Sequence, residues 1–289
     1  MKKIIYTIIL SLSIFTLTGC LKMDDMEDIT IYTSSYPIEY ITDTLYGEHC
    51  KIKSIYPDGV NIKTYEVNSL QLKEYSKSDM FVFNGLNTNE ETYLTKMFKK
   101  NKKIKIIDAS SSIEYTYSED ELWLDPSNFL MISRNIRNGL LEYIESKVIK
   151  KEINDKYDEL KIKISNIDAE LKTIYENASH KTIVTDNNTL KYLEKYGFTV
   201  ISLQENDGNV SEKNLVDARK LIENKTVKYI FTLNNTEVNE KVANLVKNTK
   251  VELLEMNNLS NLTDKQRSEK DDYFTLLNDN IEMLKKELY

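Results

Sequence analysis

The chain has 289 residues and a formal net charge of −7, with 46 acidic and 39 basic side chains. An acidic surface repels phosphate backbones, so the charge argues against a nucleic-acid-binding protein. Only two cysteines occur and one lies in the apolar N-terminal segment, so the body has no intramolecular disulfide and must fold on an apolar core.

The N-terminus has the pattern of an export signal. A basic start, Met1-Lys2-Lys3, precedes a largely apolar run over residues 4–17 that is too short to span a bilayer comfortably. The run ends in Leu-Thr-Gly-Cys, which resembles a bacterial lipobox, whose cysteine is acylated and becomes the new N-terminus. A plain signal peptide with an incidental cysteine is the alternative.

We therefore predict that residues 1–19 are a lipoprotein signal peptide and that Cys20 carries the lipid. The anchored protein would lie on the extracytoplasmic face of the cell membrane. Loss of two lysines with the signal lowers the net charge to −9. Residues 20–28 are short, polar and acidic, and we interpret them as a tether.

The first half of the body alternates two kinds of pattern. Strands are predicted at residues 29–33, 50–56, 79–85 and 104–108, and helices at 37–45 and 69–76. Strands that alternate with helices are typical of βαβ units and a parallel sheet. We assign residues 29–150 to an N-terminal α/β lobe.

The second half repeats this alternation. Strands are predicted at residues 182–185, 198–203, 227–232 and 251–254, and helices at 189–196, 211–224, 238–247 and 273–288. The same reasoning predicts a C-terminal α/β lobe over residues 179–289.

A long amphipathic helix is predicted between the halves, over residues 151–178. Its apolar residues alternate spacings of four and three, and charged residues fill the gaps. These seam residues are Ile153, Tyr157, Leu160, Ile164, Ile167, Leu171 and Ile174. The seam favours a stiff helix packed across both lobes of a monomer, and a coiled-coil dimer is the alternative.

Five motifs, in chain order, resemble those of the zinc- and manganese-binding lipoproteins of metal-ion ABC importers. They are TSSYPI at 33–38, YPDGV at 56–60, SDMFVFNG at 78–85, LWLDP at 122–126 and VKYIF at 227–231. The resemblance implies two α/β lobes joined by one long helix. It also implies a solute-binding protein that hands a divalent ion, zinc or manganese, to an ABC permease.

The metal site that the resemblance implies has changed in this chain. Lys63 stands where the family has its first histidine ligand, and Glu121 stands at the second. Asn187 stands at the third, and Asp271 is the best match to the fourth, an aspartate. An ammonium group would oppose a dication or take its place, so metal binding is predicted to be weak or lost, with Glu121 and Asp271 as the remaining candidate ligands.

The two histidines of the chain do not restore a metal site. His49 and His180 are both expected to be solvated turn residues. Gly-rich phosphate loops and a Gly-x-Ser-x-Gly elbow are absent from the sequence, so nothing indicates an enzyme. Three functions stay open: metal delivery to a permease, binding of another small solute in the same cleft, and an adhesin-like surface interaction that keeps only the fold.

Overall fold

The computed structural model describes residues 26–204, 208–234 and 236–289. The predicted signal peptide and Cys20 lie outside these ranges. Two lobes, each built on a four-stranded parallel sheet, confirm the predicted α/β class. Among the described residues, no helix is long and apolar enough to cross a membrane.

The N-terminal lobe contains the first sheet, with strand order β2-β1-β3-β4. Buried runs such as MFVF in β3 form its centre, and asparagine caps such as Asn68 and Asn87 begin the connecting helices. The strands are β1 (Ile29–Thr33), β2 (Cys50–Ser54), β3 (Met80–Phe83) and β4 (Lys105–Asp108). The helices are α1 (Tyr36–Tyr46), α2 (Ser69–Tyr75), α3 (Thr88–Lys100), α4 (Glu121–Leu124) and α5 (Pro126–Tyr143).

The predicted long helix is α6, Lys147–Asn177. Its 31 residues span about 46 Å at 1.5 Å per residue. Six of the seven predicted seam residues are buried and Tyr157 is half-buried. The helix packs against α1 and α5 of the first lobe and against a 3₁₀ helix, Thr189–Tyr196, of the second. A coiled-coil dimer would need these apolar residues at its interface, but they are already buried within the chain, which argues against the coiled-coil alternative.

The C-terminal lobe repeats the topology of the first, with strand order β6-β5-β7-β8. Its strands are β5 (Thr182–Thr185), β6 (Thr199–Ser202), β7 (Tyr229–Leu233) and β8 (Glu252–Met256). Its helices are α7 (Glu212–Glu223), α8 (Glu240–Val246), α9 (Asp264–Glu269) and α10 (Tyr273–Leu288). One apolar cluster runs from the first lobe through α6 into this lobe, so the two lobes share a core.

The folded body begins earlier than the predicted tether ends. Met26 is buried, and the Tyr46 hydroxyl donates a hydrogen bond of 2.7 Å to its carbonyl oxygen. The backbone N–H of Asp28 donates to the carbonyl oxygen of His49. Residues 26–28 therefore belong to the first lobe, which shortens the predicted tether of residues 20–28 at its C-terminal end.

Candidate functional site

A cavity of about 650 Å³ lies between the lobes. Most of its lining follows the carboxyl ends of β5, β6 and β7, which is where open α/β sheets bind ligands. From the first lobe, Lys63, Tyr117 and Ser118 line its other side. The fold therefore brings two predicted site residues, Lys63 and Asn187, to one cavity.

Lys63 forms an ion pair behind this lining. Its Nζ lies 2.6 Å from Oδ2 of Asp120, whose side chain is completely buried. The Ser118 hydroxyl donates to the same oxygen at 3.1 Å, and the Thr189 hydroxyl of the second lobe lies 3.4 Å from it. Oδ1 of Asp120 is buried and has no hydrogen-bond partner among the described residues. The Lys63 ammonium thus neutralises a buried carboxylate that sequence reasoning had missed.

The Glu121 carboxylate faces the loop that precedes it. Its oxygens accept hydrogen bonds from the backbone N–H groups of Thr116, Tyr117 and Ser118, at 3.2, 2.7 and 2.8 Å. These three bonds fix the loop that presents Tyr117 and Ser118 to the cavity. Glu121 itself does not line the cavity.

Asn187 and its neighbour Asp186 follow β5 directly. Oδ1 of Asn187 accepts a hydrogen bond of 2.9 Å from the N–H of Thr189, which begins the 3₁₀ helix, and its Nδ2 donates to Oδ1 of Asp186. Asp186 also lines the cavity, and burial raises its pKa to about 6. A carboxylate directly after a buried strand is a signal for a ligand site, and sequence reasoning did not use it.

Asp271 lies elsewhere. It lines a different cavity of about 540 Å³, together with Asn234 and Gln266, and its N–H donates to the carbonyl oxygen of Gln266. The four residues at the implied ligand positions therefore do not line a common cavity. Within the described ranges, no group of three or more His, Cys, Asp or Glu side chains is placed to hold a metal ion.

The two histidines lie outside the cavity lining, but neither is the solvated turn residue that the sequence predicted. Nε2 of His49 lies 3.1 Å from a carboxylate oxygen of Glu152 on α6. Nε2 of His180 lies 3.0 Å from the carbonyl oxygen of Glu287 on α10. Their side chains are only 22% and 19% exposed, so each histidine joins its loop to a helix.

Direct contacts between residues outside the cavity lining also hold the lobes together. Nε1 of Trp123 donates a hydrogen bond of 2.7 Å to the carbonyl oxygen of Asn258, which follows β8. The Arg267 guanidinium, on α9, donates to the carboxylates of Glu39 and Asp58 in the first lobe, at distances from 2.8 Å. The two acidic groups raise the pKa of Arg267, so the charge on this clamp is permanent.

Comparisons with known proteins agree with this architecture. A family model described as "Zinc-uptake complex component A periplasmic" matches residues 31–287. The zinc-binding protein AdcA of Streptococcus pyogenes is 24% identical, over 89% of this chain and 55% of that protein. The manganese ABC transporter substrate-binding lipoprotein PsaA of Streptococcus pneumoniae is 28% identical, over 68% of this chain and 70% of that protein. The chain thus spans about half the length of the AdcA proteins that it matches.

A solved structure supports the fold independently. The AdcAII protein of Streptococcus pneumoniae superposes with a TM-score of 0.74 at 24% sequence identity. The match covers 91% of this chain and 99% of that one. The two-lobed fold with its long helix is therefore shared along nearly the whole body.

Proposed function

Because the chain belongs to the zinc-uptake complex component A family, we propose that it is the extracytoplasmic solute-binding component of a metal-type ABC importer. Its task is to hold a solute between the lobes and deliver it to an ABC permease, without catalysing a reaction. The cavity at the carboxyl ends of β5, β6 and β7 is the observation that carries this proposal.

The proposal includes a lipid anchor at Cys20. The Leu-Thr-Gly-Cys run at residues 17–20 supports it, and so does the word lipoprotein in the name of the related PsaA. Acyl chains would keep the binding protein beside its permease on the outer face of the membrane. The body acts as a monomer, since its long apolar seam is already covered.

We further propose that the cavity binds zinc and manganese weakly or not at all. The Lys63 ammonium lies beside the buried Asp120 carboxylate, so a dication there would face a like charge. At 4 Å and an effective dielectric of 20, that repulsion is about 4 kcal/mol per unit charge pair. Zinc also prefers sulfur and imidazole ligands, and the described residues of the cavity lining offer neither.

Calorimetric titration with Zn²⁺ and Mn²⁺ tests the metal part of the proposal. The mature wild-type protein should show no submicromolar site, and neither ion should raise its melting temperature. Lys63→His combined with Asn187→His should raise zinc affinity at least about tenfold, since two imidazoles then replace an ammonium and an amide. Glu121 stays unchanged because its loop depends on it. Lys73→His, at an exposed position on α2, is the control, and tight zinc binding by the wild type would contradict this part.

Cross-linking in intact membranes tests the importer role. A photoreactive residue in place of Glu240, on the exposed rim of the cavity, should capture a subunit of an ABC permease. The same group in place of Ile162, which is 62% exposed on α6 and does not line the cavity, is the control. Failure of the rim position to reach any permease would count against the role.

A further inference from the structure

The interlobe cavity has the features of a site for an organic cation. We propose that its cargo is a small organic solute bearing a primary ammonium group, and that the Asp186 carboxylate binds this group. The inference rests on the proposed role of the cavity as the solute site. It assigns the solute to the class of organic amines, whereas the names of the related proteins refer to zinc and manganese.

The size of the cavity suits a molecule better than an ion. Pockets for small organic ligands typically enclose about 300–1,000 Å³, and this one encloses about 650 Å³. A bare divalent ion needs only a shell of oxygen or nitrogen atoms about 2 Å away. The described residues contain no such group of His, Cys, Asp and Glu side chains.

Asp186 is the half-buried carboxylate of the described cavity lining, and it lacks a counter-ion among the described residues. Its side chain lies at the end of β5 and is half-buried, with the Asn187 amide as its hydrogen-bond donor. No ion pair of the described residues involves Asp186. A partly desolvated carboxylate without a cation is unfavourable, so a cationic ligand would gain from the pairing.

Lys63 is not the counter-ion of Asp186, because its ammonium is already paired with Asp120. Nζ of Lys63 lies 2.6 Å from that fully buried carboxylate. The cavity rim adds two further acidic side chains, Glu237 and Glu240, both exposed. Among the described lining residues, three carboxylates therefore face one ammonium that is already paired, so the electrostatic field on the Asp186 side of the cavity, away from Lys63, favours a cation.

The remaining lining fits an organic molecule around that ammonium. Amide and hydroxyl groups of Asn188, Gln204 and Thr236 offer hydrogen-bond acceptors for N–H groups and donors for a polar tail. Apolar side chains of Val210 and Val238 lie among them and can contact a hydrocarbon stem. A few placed polar groups within partly apolar walls are typical of small-molecule sites.

Matched pairs of probes test the ammonium requirement. Putrescine is compared with 1,4-butanediol and glucosamine with glucose, because each pair differs chiefly in amine against hydroxyl. The readouts are the melting temperature and the calorimetric affinity of the mature protein. At least one amine should raise the melting temperature while its hydroxyl partner does not. If neither amine binds, the inference is wrong.

Asp186→Asn tests the residue. Its amide has the shape of the carboxylate but no charge, so the affinity for the amine should fall at least tenfold. Without ligand, the variant should melt at or above the wild-type temperature because the half-buried charge is gone. This melting temperature shows that the variant folds. Asp217→Asn, at a partly exposed position on α7 outside the described cavity lining, should bind as the wild type does. Equal amine affinity in Asp186→Asn would overturn the inference, as would zinc or manganese binding that this variant loses.

These outcomes are separate from failure of the importer role. If the rim cross-link captures a permease but no amine binds, only the solute class is wrong. If an amine binds through Asp186 but no permease is captured, the solute class stands and the importer role is wrong.

Discussion

A buried carboxylic acid, Glu90, lies beside the carboxyl ends of β2 and β3. The Tyr56 hydroxyl donates to its Oε1 at 3.3 Å, and the backbone N–H of Asn84 donates to its Oε2 at 2.8 Å. Burial is the main cause that raises the pKa of Glu90 to about 8, and the charge of Glu119 adds to it. The folded state therefore prefers the neutral acid over most of the physiological range.

This preference makes the stability of the protein depend on pH. The pKa of Glu90 is higher in the folded protein than in the unfolded chain. Its contribution to the stability of the fold is therefore complete below about pH 4.5 and is lost as the pH rises through 8. Wild-type stability should fall by a few kcal/mol, in order of magnitude, between pH 5 and 9. Glu90→Gln should flatten that fall, as measured by urea unfolding. Glu91→Gln, exposed on the same helix, should keep the wild-type slope, and an unchanged slope in Glu90→Gln would count against this account.

The pair of Lys63 and Asp120 gives a second prediction for single residues. Lys63→Met leaves a buried charge without its partner and should cost about 2 kcal/mol, because the ammonium is itself partly exposed. Adding Asp120→Asn should recover most of the loss. A double-mutant cycle of urea unfolding measures this coupling, and additive effects would mean that the two groups do not interact.

Of the residues that sequence reasoning placed at the site, Lys63 and Asn187 line the interlobe cavity, whereas Glu121 and Asp271 do not. Asp120 and Glu121 are neighbours, and motif spacing fixes a position without fixing where its side chain points. Three backbone N–H groups bind Glu121, so Asp120 is left to pair with Lys63. Contacts between segments far apart in the chain decide whether Asp120 or Glu121 binds the loop. The spacing of motifs does not reveal these contacts.

Among the elements, the helices show where periodicity succeeds and where it fails. The seam of α6 is regular over seven residues and was predicted closely, although the helix begins four residues before the predicted boundary. Helices α3, α4, α5 and α9 were not predicted. The buried face of α5 includes Ser133, whose hydroxyl donates to the carbonyl oxygen of Phe129, so a polar residue interrupts the apolar pattern.

The helix predicted at residues 189–196 is a 3₁₀ helix, Thr189–Tyr196. Its buried side chains form two rows in which positions recur every three residues: Thr189 and Tyr192, and Leu190, Leu193 and Tyr196. Three residues per turn is the period of a 3₁₀ helix, so this spacing aligns each row along the helix. The 3₁₀ geometry therefore agrees with the apolar pattern. The predicted helix at these positions did not distinguish a 3₁₀ helix from an α-helix.

Leu160 in the middle of α6 tests the role of the long helix. Its side chain is 1% exposed, so Leu160→Asp should cost several kcal/mol by burying an unpaired charge in the shared core. Ile162→Asp, at a 62% exposed position on the same helix, should change stability by no more than about 0.5 kcal/mol. Thermal unfolding of both variants is the measurement. Equal melting temperatures for the two would mean that the helix is a solvated arm.

At the scale of the whole molecule, the lobes are joined by more than the helix. The apolar core is continuous across them, and Arg267 binds acidic groups of the first lobe from the second. The two-lobed architecture was predictable from repeated strand and helix patterns. These contacts between lobes were not, because they join residues more than 200 positions apart.

The proposed anchor also belongs to this scale. Cys20→Ser should leave the protein either released from membranes or with an uncut signal, since no thiol remains to be acylated. Detergent partitioning and N-terminal sequencing are the measurements. Cys50→Ser, in the body, is the control and should partition as the wild type does. A Cys20→Ser protein that is processed, acylated and still membrane-bound would contradict the anchor.

Because the folded body begins as early as Met26, the distance between the proposed lipid anchor and the body is short. With acyl chains on Cys20, five residues lie between the acylated cysteine and Met26, and these six steps along the chain allow at most about 22 Å. This leash joins the first lobe at the amino end of β1, whereas the cavity residues of both lobes follow the carboxyl ends of their strands. If the proposed anchor and importer role hold, a molecule standing on its tether would open its cavity away from the membrane, and it would have to rotate before the cavity could meet the proposed permease.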